Sequence, residues 1–135
     1  MTRVLLISSC IAALLVASAG ADTYIPRDLD DAHQQLMKIF SPKDIAHIKA
    51  MKSEDDMIEY HMGLGTGLRN DWGLWRGSRL SRWFNQRGIF HPDDMSGIIF
   101  DTFWDKLHGK PFRLQKKIAV YQKYWRDIEK QESHK

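Results

Sequence analysis

Apolar residues recur at intervals of three and four along this chain, and nowhere after residue 22 do they alternate with polar ones over a strand's length with β-branched enrichment. That periodicity commits the chain to helices, because side chains three and four apart share a helix face whereas a strand repeats every second residue. The pattern is cleanest near the C-terminus. Leu114, Ile118, Tyr121, Trp125 and Ile128 follow a 4-3-4-3 spacing down an otherwise Lys- and Gln-rich surface. This predicts a last helix docked lengthwise through one continuous apolar seam, with Lys130 to Lys135 fraying.

Helix starts and stops are marked upstream as well. Asp28 suits the N-cap of a helix carrying Leu29, Ala32, Leu36 and Ile39 and closing at Phe40. Ser41 and Pro42 suit the cap and first position of a short helix through Ala50, with Asp44 favourable against its dipole and Ile45 and Ile48 inward. Ser53 caps a third, with Met57, His61, Leu64 and Leu68 along one face. Ser78 caps a fourth bearing Leu80, Trp83 and Phe84, which Gly88 ends in a left-handed position. Pro92-Asp93-Asp94 opens a fifth whose stripe is Met95, Ile98, Ile99, Thr102, Phe103 and Leu107, stopped by Gly109 and Pro111. The expectation is an all-α, compact single-domain bundle of about five to six helices over residues 22–135.

The first 21 residues have another purpose. Arg3 precedes an apolar run from Val4 to Val16, and Ala17-Ser18-Ala19-Gly20-Ala21 is uniformly small, the layout of a cleavable secretory signal peptide with cleavage after Ala21. An anchor is the rival reading, but the run stops near 13 residues where a span needs about 20. A lipobox reading of Ile7-Ser8-Ser9-Cys10 fails because the apolar stretch continues past the cysteine. Cys10 is the single cysteine, so the processed chain has none for a disulfide, a thiolate nucleophile or a Cys-based metal site. Loss of Arg3 leaves 19 basic against 17 acidic residues, too small an excess to point to nucleic acid. The expected localisation is periplasmic or secreted, with no transmembrane span after signal removal.

Chemistry is sparsely signalled. Gly63, Gly65 and Gly67 lack the strand, register and following Lys-Ser/Thr of a phosphate loop. Each disfavours helix by about 1 kcal/mol relative to Ala, which suggests close packing at Gly63 and Gly67, four apart on one face, against a ring such as Trp72, Trp75 or Trp104. Asn70 to Gly77 reads as a loop folded onto the core by its two tryptophans. Around it cluster arginines, and Arg69, Trp72, Trp75, Arg76, Arg79 and Arg82 form the candidate ligand-binding set, since guanidinium groups among indoles can stack and hold a carboxylate or phosphate in a fork. The alternative is a solvated face whose arginine stems cover the aromatic core, with Asp71 as an internal partner.

Six histidines form no compact ligand pattern, so no metal or cofactor is expected, and His61 reads as a hydrogen-bonded interior residue. His91-Pro92-Asp93-Asp94 reads as a helix start whose carboxylates satisfy free N–H groups. Glu59, Asp71 and Asp101 are the carboxylates outside cap positions that could approach the Arg/Trp region, with nothing fixing their separation.

The pieces His61-Met62-Gly63-Leu64-Gly65, Leu68 to Trp75, Gly77 to Ser81, His91 to Ser96 and Tyr121 to Trp125 resemble a family of bacterial domains of unknown function, across about residues 59–125. The resemblance implies no activity and no catalytic residue. The reading is therefore an exported interaction domain, non-enzymatic, that binds a protein or an anionic envelope component through the Arg/Trp surface, an immunity or inhibitor role included. The alternative is a small cell-envelope hydrolase acting on cell-wall or phospho-substrates with His61 or His91 beside the arginines.

Overall fold

A computed structural model describes residues 22–135, so the expected signal segment and its cleavage site lie outside the described residues. Helix α1 spans Leu29–Ile39, and α2 spans Pro42–Ala50. Both start as their caps dictate: Asp28 accepts from the Asp31 backbone N–H, and Ser41 with Asp44 forms a reciprocal capping box. The buried Asp31 carboxylate also accepts from the Tyr24 hydroxyl at 2.7 Å and the Arg27 backbone at 2.9 Å, fastening the segment before α1.

The single helix expected after Ser53 is three pieces. Glu54–Met57 is a 3-10 turn, α3 is Ile58–His61 and α4 is Leu64–Asp71, with the break at Met62 and Gly63. This raises the helix count from six to seven α-helices among the described residues. Two further corrections follow. Asn70 and Asp71 belong to α4 rather than to a loop, and the close approach expected at Gly63 and Gly67 occurs at neither, since a Cβ on either would meet nothing within 4 Å. It occurs at Gly65, where a Cβ would lie 3.0 Å from Arg69 Nη1, 3.2 Å from Phe100 Cε2 and 3.3 Å from the Tyr60 carbonyl oxygen. In the Trp loop, Trp72 and Leu74 are buried as expected, but Trp75 is 56% exposed.

Helix α5 is Arg79–Asn85, α6 is Pro92–Leu107 and α7 is Leu114–Glu132. The bundle is organised around α6, which touches α1, α2, α4, α5, α7 and the 3-10 turn. Of its expected stripe Met95, Ile98, Ile99, Thr102 and Phe103 are buried and Leu107 is half-buried, and Ser96, Phe100, Trp104 and Asp105 on other sides are buried too, because neighbours pack on several of its faces. At its centre Thr102 donates to the Ile98 carbonyl at 2.7 Å and lies 2.8 Å from His33 Nε2. With the Thr102 proton so committed, His33 donates from Nε2, and its buried Nδ1 has no partner among the described residues. Burial, aided by the Lys106 charge, lowers its pKa to about 4.

Helix α7 does not dock along its whole seam. Of the expected seam Ile118 is buried, Leu114, Tyr121 and Ile128 are half-buried, and Trp125 keeps 39% of its surface, while Val120 and Tyr124 lie off the seam and are exposed. Polar ties to α6 and the 3-10 turn help to fix it: Lys117 Nζ donates to Asp105 at 2.7 Å and pairs with Glu54 of the turn at 3.0 Å, and Trp125 Nε1 donates to Asp94 at 2.8 Å. Tyr121 settles over Gly97, where a Cβ would sit 2.6 Å from its hydroxyl.

Candidate functional site

The sequence-derived ligand set does not form one surface. Arg69 is 7% exposed and spends its guanidinium inside the fold: Nη1 donates to Ser96 Oγ at 2.9 Å, Nη2 to Thr66 Oγ1 at 3.1 Å, and Nε lies 3.0 Å from Asp93 Oδ1. Asp93, not Asp71, is therefore the acidic partner. Trp72 is buried too. Arg76, Arg79 and Arg82 are exposed but bonded to backbone carbonyls, of Asn70 at 3.1 Å, of Ile25 at 2.7 Å and of Gly77 at 2.6 Å respectively. Arg79 also lies 5.2 Å over the Tyr24 ring. These three fasten turns and the N-terminal segment, as stems and forks over a folded surface do.

Trp75 belongs to a different assembly. It meets the edge of the His91 ring at 5.6 Å, His91 stacks on Trp125 at 5.5 Å and 24°, and Tyr124 stands edge-on to Trp125 at 5.2 Å. Phe90, 71% exposed, lines with His91, Asp94, Gln122, Trp125 and Arg126 a cleft of about 580 Å³. The local sequence explains the arrangement. His91, rather than the following carboxylates, caps α6, because its Nδ1 accepts from the Asp93 backbone N–H at 3.2 Å. That bond leaves the neutral ring protonated on Nε2 and holds its plane upright between the two indoles. Arg69 holds Asp93 from the other side, so the buried arginine fixes the first turn of α6 on which the aromatic strip stands.

Asp94 forms the wall between this cleft and a second one. Burial raises its pKa, opposed by the Trp125 hydrogen bond. The second cleft, about 520 Å³, has His61, Asp94, Asp101 and Tyr121 among its walls. His61 is thus half-buried at a cleft rather than interior. Burial, reinforced by Glu54 and opposed by Lys117, raises the Asp101 carboxyl to about 7, and burial with the Asp101 and Asp94 charges pushes the Tyr121 phenol up to about 12. A carboxyl poised there can give or take a proton at neutral pH. Of the other carboxylates considered from sequence, Glu59 pairs on the surface with His47 at 2.7 Å, and Asp71 is exposed at the end of α4.

Among the described residues no group of three or more His, Cys, Asp or Glu is placed to hold a metal ion, and no helix is long and apolar enough to cross a membrane. A family model described as a domain of unknown function, DUF6794, matches residues 25–107. It starts upstream of the 59–125 stretch singled out by its motifs and ends with α6, so α7 and its Trp125 lie beyond it. No curated protein and no solved structure matches the chain.

Proposed function

The chain belongs to that family of domains of unknown function, and from this premise we propose that it is an exported binding domain that engages a protein or an anionic envelope component through the strip of Trp75, His91, Trp125, Tyr124 and Phe90. The observation that carries the reading is the exposure of these rings together: Trp75 at 56%, Phe90 at 71%, Tyr124 at 55% and Trp125 at 39%. Scattered apolar residues on a surface are ordinary, whereas rings that support one another, as Trp75, His91, Trp125 and Tyr124 do with Phe90 on the adjoining cleft wall, mark contact sites, since Trp and Tyr supply area at little entropic expense. Arg126 on the cleft wall and Arg76 beside Trp75 supply positive charge at the rim. A photo-crosslinker at position 90 in secreting cells should trap one dominant partner, and Trp75→Ser with Tyr124→Ser should abolish that adduct while the fold is kept. An unchanged adduct in the double variant removes the strip from the interaction.

A second reading, a small hydrolase of cell-wall or phospho-substrates, is favoured by one observation, the Asp101 carboxyl poised near neutrality in a cleft with His61 and Tyr121. Hydrolysis of peptidoglycan fragments or phosphoesters by the purified chain, lost in Asp101→Asn, would establish it. Equal release of product by the variant would dismiss it.

A further inference from the structure

A third cleft, about 470 Å³, opens between the turn joining α6 to α7 and the residues just before the 3-10 turn. Lys52, Lys110, Arg113 and Lys117 line it together with Ser53, and Trp104 forms part of its wall. The four cations are not equivalent. Lys117 is satisfied by Asp105 and Glu54, whereas Lys52, Lys110 and Arg113 make no ion pair among the described residues. Lys110 is positioned by the Trp104 ring, its Nζ 4.7 Å from the centroid. Trp104 itself is 4% exposed, and its Nε1–H is buried with no acceptor among the described residues.

The backbone adds to this. Arg113 holds φ +48° and ψ +43°, the one non-glycine residue in left-handed conformation among the described residues, and it is the N-cap of α7. No side chain caps this 19-residue helix, and its first turn has no acidic residue. The positive end of its dipole therefore adjoins the unpaired Arg113 on the cleft wall, with the Lys116 and Lys117 N–H groups bonded to the Arg113 carbonyl and those of Leu114 and Gln115 open at the helix start. An oxyanion in the cleft would be met by the Arg113 guanidinium fork and the Lys52 and Lys110 charges, with the open helix start adding its dipole. Glu54 and Asp105 also line the cleft, so its four cations and two carboxylates leave a formal +2, which matches a phosphate group better than a single carboxylate, and those carboxylates beside Lys117 confine an anion to the side of Lys52, Lys110 and Arg113.

From the cavity, the unpaired cations and the open helix end together, we infer that this cleft is a phosphate-binding site, separate from the aromatic strip. The test is a titration of the full chain with inorganic phosphate, followed by amide chemical shifts, with chloride at equal ionic strength as the control. Saturable shifts at Leu114 and Gln115, absent with chloride, are expected. The variant Lys52→Gln, Lys110→Gln, Arg113→Gly should bind at least tenfold more weakly. Glycine suits the left-handed position, so the variant keeps its fold, which unaltered shifts elsewhere would verify. Glycerol phosphate and vesicles containing phosphatidic acid then separate the two sources of the group: shifts at the same amides with glycerol phosphate indicate a soluble ester, and vesicle co-sedimentation lost in the variant without such shifts indicates a lipid headgroup. Phosphate shifts that do not saturate, that chloride reproduces or that survive in the triple variant overturn the inference. Because neither Trp75 nor Tyr124 lines this cleft, failure here leaves the strip variants informative, and the reverse holds as well.

Discussion

Substituting alanine at Gly65 and at Gly67 separates helix propensity from packing within one turn of α4. Replacing glycine by alanine in a helix favours folding by about 1 kcal/mol, through the backbone entropy that glycine loses. At Gly67 that is the whole effect, because the new methyl meets nothing within 4 Å. At Gly65 the methyl meets three neighbours that cannot easily withdraw. Arg69 Nη1 at 3.0 Å is tied to Ser96, Phe100 at 3.2 Å is 2% exposed, and the Tyr60 oxygen at 3.3 Å is backbone. Overpacking of this kind destabilises by typically 1–3 kcal/mol. The propensity gain is common to both substitutions, so their difference approximates the packing term alone. For a domain of this size 1 kcal/mol moves the melting temperature by about 4 °C. Thermal unfolding should therefore place Gly67→Ala about 4 °C above the parent and Gly65→Ala at or up to about 8 °C below it. A Gly65→Ala protein that melts as high as Gly67→Ala would refute the packing argument, and with it the register in which α4 lies on α6.

Truncating Arg69 to Leu strips Ser96, Thr66 and Asp93 of a shared charged donor, so urea unfolding should show a loss of about 2–4 kcal/mol, against near zero for the exposed Arg76→Leu. Between pH 4 and 7 the folded chain holds on Asp101 a proton that the unfolded chain has released, so this group's contribution falls as pH rises, while His33 refuses a proton that the unfolded chain takes up and its contribution rises between pH 4 and 6.5. The two slopes oppose, and Asp101→Asn should leave a stability that climbs more steeply over pH 4 to 6.5 than that of the parent, read as melting temperature against pH. Trp125→Phe removes a hydrogen bond that holds the Asp94 carboxyl down, so NMR titration should find that carboxyl higher in the variant, with a stability loss of about 1 kcal/mol. Expression in a secreting host should yield a mature protein whose N-terminal sequence begins at Asp22, and retention of Met1 would count against the signal peptide.

Local chemistry made most of the helices legible. Asp28, Ser41, Ser53 and Ser78 each cap the element they were expected to open, because a short side-chain oxygen serving a free N–H is decided within three residues. What failed was the choice of face. Spacing alone groups Gly63 with Gly67, but the face of α4 that meets α6 is set by Leu68, and Gly65, Arg69 and Trp72 lie three before, one after and four after it. That register was available in the sequence and would have turned Arg69 inward and away from any ligand. The wide burial of α6 was also signalled, since Phe100 and Trp104 put large rings outside the stripe that its periodicity drew, as in a helix packed on more than one face.

The aromatic strip and the basic cleft were not legible, for a different reason. Each depends on where α7 stops touching the bundle. The seam through Leu114, Ile118, Tyr121, Trp125 and Ile128 satisfies helical spacing along its whole length, yet spacing says only that these residues share a face and not that a partner surface extends beneath all of them. Helix α6 begins at Pro92, and the last residue of α7 that the structure ties to it is Trp125, through Asp94 on its first turn. At that point Trp125 keeps 39% of its surface and stands against His91 instead of entering the core, and Ile128 beyond it is only half-buried. At the opposite end, α7 must start immediately after a turn that reverses the chain from α6, and the left-handed Arg113 that makes the reversal leaves the helix end without a side-chain cap. Both surfaces thus arise from one mismatch, a helix whose apolar face is longer than the surface that receives it and whose start is set by the turn before it.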